Sequence, residues 1–245
     1  MNGSDKVEDG LLVLKRHIDT RSIAALIERT ARWVDPETFR LLPVWFPEFA
    51  RRGALYNANW SIRRQNTNRQ SGDITDKIEG NTQANKALCE AMGITLKERP
   101  HWTCCHIWGV DDPRFVKANS VVQDHRFFSC VANMVLLPTP LKAFTDVMPE
   151  VKAMLRRCSG DLFGWSCDHP DLLPQADDAF DPADYPESWR HAASGSVPGI
   201  VPINDKIRAK ARNRKAAIAR DLETAGEFYP REKVRDALCY WNIVL

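Results

Sequence analysis

The residues of this chain best placed to do chemistry lie in the stretch 103–146. His106 closes a short run of β-formers, HWTCCHIW, that ends at Gly109. Asn133 follows 27 residues later and opens the apolar run MVLLP. From Pro138 the hydrophobic period turns helical, and Lys142 and Asp146, four apart, then share one helix face. An imidazole can take a proton from water, a carboxylate can hold a hard cation, and an ammonium can meet negative charge on a phosphoryl oxygen. A base, a cation and a scaffold that holds both are what phosphodiester hydrolysis requires.

Each residue also has a purely structural reading. A lone histidine between Cys105 and Ile107 is most often a satisfied core histidine, and an asparagine commonly closes a turn after a strand. Asp124 and His125 form a second polar pair. Only eight residues separate His125 from Asn133, too few for a strand, a turn and a second strand, so the pair reads as part of a loop. The cysteines do not form CxxC units, and Cys104 and Cys105, being adjacent, point to opposite faces of a strand. Isolated buried thiols fit that spacing better than a structural Zn²⁺.

A second polar concentration spans residues 60–81, WSIRRQNTNRQSGDITDKIEGN. Arg63, Arg64, Gln65, Asn68 and Arg69 are the residue types that bond base edges and phosphates, which makes this a candidate nucleic-acid-contacting loop. The same composition also suits a plain surface loop. A third concentration is the basic run after Asn204, where Lys206, Arg208, Lys210, Arg212, Arg214 and Lys215 recur on a segment of strong helix formers. A helix this basic lies on phosphates or stands in solvent.

The elements that must position these groups follow from periodicity and breakers. An amphipathic helix is expected over 20–34 with Thr20 as its cap, then a short one with Pro36 in its first position, then a helix over 82–92 stopped by Gly93. The run at 101–108 reads as a first strand and 126–131 as a candidate second. Helices are expected from Pro138, from Pro149 to about Gly160 or Gly164, from Asn204 to Gly226, and over 230–240. Before the last two runs an acidic, proline-rich stretch that reads as a linker.

Taken together, CHI at 105–107, NMVLLP at 133–138 and FTDVMPEV at 144–151 resemble the HNH, or ββα-metal, endonuclease family, over residues 99–165 ending near the FGW at 163–165. The resemblance implies a ββα hairpin-and-helix module in which His106 is the general base and Asn133 orients it. It also implies that the positions nine and thirteen beyond Asn133, here Lys142 and Asp146, complete a site for Mg²⁺ or Mn²⁺. Cys105 stands where the family places a metal-binding acid, and Lys142 where it places a histidine or asparagine ligand. Asp146 is left as the oxygen ligand, with Cys105 as a soft one, while Lys142 would stabilise phosphate charge.

The chain is therefore expected to be α+β, with an N-terminal region at 1–98, the HNH-like module at 99–165 and a linker with basic helices at 166–245. The function implied is metal-dependent hydrolysis of double-stranded DNA, as in a restriction or defence nuclease, with a homodimer as the arrangement that would cut both strands. One rival is a DNA-binding protein that kept the hairpin but lost the metal; another is an adaptor whose Trp-rich N-terminal part binds a protein. The 34 basic and 32 acidic residues give a net charge of only +2, so a basic face must come from segregation rather than excess. No apolar run reaches the roughly 18 residues of a membrane span, and 11–14 is too short an apolar core for a secretory signal. Seven cysteines without a paired framework fit a reducing cytoplasm.

Overall fold

The computed structural model describes residues 7–109, 111–173 and 180–245. Helix α1 (Gly10–Lys15) is capped by Asp9, whose carboxylate accepts from Leu11 N and Leu12 N. Helix α2 (Thr20–Thr30) is capped by Asp19 rather than Thr20, which is instead its first residue, and it buries Ile23, Ala24 and Ile27. A two-residue strand β1 (Trp33–Val34) leads to α3 (Pro36–Leu41), with Asp35 as cap and proline in the first turn as expected.

Residues 60–81 do not form a plain loop. They carry an antiparallel pair, β2 (Gln65–Thr67) and β3 (Ile74–Asp76), whose residues are all exposed. The ribbon continues at its root through bridges between Tyr56 and Arg63 and between Ala54 and Ile78. Polar composition concealed this element because neither face is buried, so no alternation marks it. Helix α4 (Thr82–Ala91) follows, and Gly93 at φ +68 ends it.

Strand β4 (Trp102–His106) pairs antiparallel with β5 (Met134–Pro138), with Trp102 opposite Pro138 and His106 opposite Met134. The second strand is therefore Met134–Pro138 and not 126–131, a correction with a clear cause. Residues 126–131 meet the 43–45 segment only at an isolated bridge between Val44 and Cys130, and their start is a turn: Phe127 N and Phe128 N both donate to Asp124 O, and Asp124 Oδ1 accepts from Arg126 N at 2.7 Å. Met134 to Leu137, by contrast, are buried without alternation, as in a strand covered on both faces. The connection between the strands carries a short helix, α5 (Ser120–Gln123).

Helix α6 (Lys142–Val147) follows β5 after one turn of tighter helix, and α7 (Pro149–Phe163) runs to Gly164 in the left-handed conformation. Strand β6 (Ile200–Val201) pairs in parallel with β1, joining the last third of the chain to the first. Helices α8 (Asp205–Thr224) and α9 (Arg231–Tyr240) close the chain, with Asn204 Oδ1 capping α8 through Ile207 N at 3.0 Å. One hydrophobic core includes Ile23, Trp33, Leu88, Val135, Leu155, Trp189 and Ala211, so all three expected regions pack into it. The fold is mixed α+β with small two-stranded sheets. No described helix is long and apolar enough to cross a membrane.

Candidate functional site at the end of strand β4

His106 sits at the last position of β4, 9 % exposed. Its Nε2 lies 2.9 Å from Phe128 O, and its ring stacks on Phe128 at 5.7 Å. A carbonyl can only accept, so Nε2 carries the hydrogen and Nδ1 keeps the lone pair. Burial is the main force on its titration and pushes the pKa down to about 4; the charges of Arg51 and Lys152 act in the same direction, and the bond to Phe128 O opposes them. The imidazole is therefore neutral at neutral pH, with its tautomer fixed.

Asn133 is fully buried beside this strand end, but its amide does not hold the imidazole. Oδ1 accepts from Trp108 N at 2.8 Å, while Nδ2 donates to Trp108 O and Phe127 O, both at 3.3 Å. Asn133 thus ties the exit from β4 to the 124–128 turn, and that turn presents Phe128 O to His106. Its link to His106 therefore runs through backbone.

Lys142 and Asp146 do share a helix face, and they bond each other: Lys142 Nζ forms an ion pair with Asp146 Oδ2, both side chains being about half exposed. Cys105 faces α6. Burial pushes its thiol up to about 11, against the lowering effects of Thr145, Lys142 and Lys152. A thiol that weakly acidic stays protonated at neutral pH and is no ligand for a hard cation. Among the described residues, no group of three or more His, Cys, Asp or Glu side chains is arranged to hold a metal ion. Cys104 faces the other way, with Sγ 3.4 Å from Met134 Sδ.

Two cations that sequence reasoning missed belong to this neighbourhood. Lys152 on α7 is held below its usual pKa by burial; it feels Asp112 and Asp146, and its own charge reaches both His106 and Cys105. Arg51, far from His106 in sequence, acts on it as well. Neither lies in a recognisable motif, so only folding could reveal them. The 107–133 connection is itself pinned by charge: Arg156 forms a buried ion pair with Asp112 and stacks over Trp108 at 5.0 Å.

The expected nucleic-acid contacts divide. On the ribbon, Arg64, Gln65 and Arg69 are exposed, and Arg63 pairs with Asp76 at 2.6 Å. Asn68 is committed to the ribbon's turn: its Oδ1 accepts from Gln70 N at 2.9 Å and its backbone N–H donates to Asp73 O at 2.8 Å. On α8, Lys206 and Arg212 are exposed, Lys210 is half-buried, Arg208 pairs with Glu37 at 2.9 Å, and Lys215 Nζ donates to Val244 O. Arg214 is a clear correction. It turns inward, donating from Nε to Trp45 O at 2.6 Å, pairing with Glu48 and covering the Phe46 ring at 4.6 Å, so its guanidinium is engaged within the protein. Buried Ile207, Ala211 and Ile218 mark the face that put it there.

No protein-family model, no curated protein and no solved structure matches this chain.

Proposed function

We propose that this protein is an endonuclease of the HNH-like type that hydrolyses DNA phosphodiester bonds with His106 as general base. The observation that supports this reading is the tautomer-fixed imidazole at the end of a hairpin strand, with Nδ1 unprotonated at neutral pH. In this reading a water molecule gives its proton to Nδ1 as its oxygen attacks phosphorus, the P–O bond to one sugar breaks, and the departing sugar oxygen takes a proton from solvent. Arg51 and Lys152 would meet the negative charge that builds on the phosphoryl oxygens. Arg64, Gln65 and Arg69 on the ribbon, with Lys206, Lys210 and Arg212 on α8, would hold the duplex. A second copy of the chain would serve the second strand.

A divalent cation such as Mg²⁺ or Mn²⁺ would supply further charge neutralisation, but the side chains here do not make a shell for one. Asp146 is the sole carboxylate of the expected set and is engaged by Lys142, and Cys105 is a protonated thiol. No step is therefore assigned to a metal. That pairing favours a second reading, a DNA-binding protein that keeps the hairpin without cutting. One experiment separates the two: supercoiled plasmid is incubated with the protein in Mg²⁺, Mn²⁺ or EDTA, alongside His106→Ala. Nicking or linearisation that disappears in His106→Ala supports the nuclease. An intact plasmid under every condition, with a salt-sensitive gel shift, supports the second reading.

A further inference from the structure

At the root of the exposed ribbon lies a cavity of about 150 Å³ walled by aromatic rings and two buried carboxylates. Tyr56 and Phe228 stack at 5.0 Å with ring planes 15° apart, and Trp60 lies 5.5 Å from Tyr56. Glu79 is 1 % exposed and Glu48 5 %. Each uses one oxygen in the fold. Glu79 Oε1 accepts from Thr82 N at 2.5 Å and Gln83 N at 3.2 Å, which caps α4, while Glu48 Oε1 takes Arg214. The second oxygen of each, Oε2, is buried without a hydrogen-bond partner among the described residues. A buried carboxylate oxygen left in this state is costly unless something supplies a donor.

The remaining polar wall is also acceptor-rich. His125 donates from Nδ1 to Pro47 O at 2.7 Å, so its Nε2 bears the lone pair, and burial keeps the ring neutral. Among the described residues Lys233 is the cation lining the cavity, and the charge on Glu79 is opposed by burial with only its two backbone bonds to offset it. Trp60 holds a left-handed backbone, φ 59, kept there by Gly226 N donating to Asn59 O at 2.7 Å and Phe228 N donating to Trp60 O at 3.1 Å. Strain of that kind persists only where the surroundings enforce it. A cavity whose lining combines spare acceptors with aromatic rings suits a planar, donor-only cation.

We infer that this cavity is a binding site for a guanidinium group, with Glu48 and Glu79 accepting its N–H bonds and Tyr56 and Trp60 covering its plane. The group would belong to a free alkylguanidine or to an arginine side chain of another protein. The inference does not depend on the nuclease reading, and plasmid cleavage is no part of its test. Calorimetric titration with methylguanidine, with an acetylated arginine peptide and its lysine twin, and with methylurea as neutral isostere would decide it. Saturable binding of methylguanidine, with none for methylurea and at least tenfold weaker binding in Glu79→Gln, is expected. The Glu79→Gln side chain keeps a carbonyl to cap α4, so the variant should fold, as circular dichroism would confirm; Tyr56→Leu should weaken binding as well. Equal affinity of the arginine peptide identifies a side-chain ligand, and preference for methylguanidine identifies a small molecule. Failure of methylguanidine to saturate, equal binding of methylurea or of tetramethylammonium, or indifference to Glu79→Gln would overturn the assignment.

Discussion

His106 and Asn133 show how burial sets the terms for single residues. The folded imidazole resists protonation down to about pH 4, whereas in the unfolded chain it takes up a proton near 6.5. Its contribution to stability is therefore complete above pH 6.5 and declines as pH falls towards 4, by up to about 3 kcal/mol. Thermal melts of wild type and His106→Gln between pH 7 and 4.5 should show the variant losing less stability on acidification; parallel curves would refute the assignment. If His106 is the base, kcat/KM should keep its acid limb near pH 4 to 5 rather than near 6.5. Asn133→Ala removes bonds to the backbone of Trp108 and Phe127 and strands buried groups, a cost of about 3 kcal/mol or more in denaturant titration. The two residues were legible as candidates because His closes one apolar run and Asn opens the next. Their partners were not, since Phe128 O and Trp108 N are backbone atoms that any sequence would supply.

Among the elements, α8 is the most instructive. Its basic residues read alike in sequence, yet three buried apolar positions fix which side faces the protein and carry Arg214 inward with it. Arg214→Ala would leave the buried Glu48 without its cation and should cost about 3–5 kcal/mol. Arg212→Ala, on the exposed side, should change stability by no more than about 0.5 kcal/mol and should weaken DNA binding if the helix lies on phosphate. Melts and gel shifts on both variants would check this, and loss of DNA affinity in neither would exclude α8 from the interface. The ribbon β2–β3 was invisible to periodicity because every one of its residues is exposed. Strand β5 was mislocated for the opposite reason: buried without alternation, it read as a generic apolar run, while the phenylalanines just before it drew the strand assignment to 126–131.

At the scale of the whole molecule, a backbone contact joins the first and last thirds of the chain in addition to their shared core. Gly199 sits at φ +78, and a Cβ there would lie 2.0 Å from Ala31 O, where Trp33 N donates to Gly199 O at 3.0 Å. Gly199→Ala should therefore break the β1–β6 pairing and cost more than about 2 kcal/mol, seen as a lowered Tm and early proteolysis at both ends of the chain. A variant that melts like wild type would mean the pairing contributes little. By itself the sequence determined α3, α4, α7 and α8, through caps at Asp35 and Asn204 and stops at Gly93 and Gly164, though not α1 or α5, and it determined the mixed α+β class, because local hydrogen bonding and apolar spacing act over a few residues. Only the tertiary structure decided that Lys152 and Arg51 act on His106, and that two carboxylates meet aromatic rings beneath the ribbon. Most of those relations join segments tens of residues apart, and charge and burial have no value for a residue until its neighbours in space are fixed.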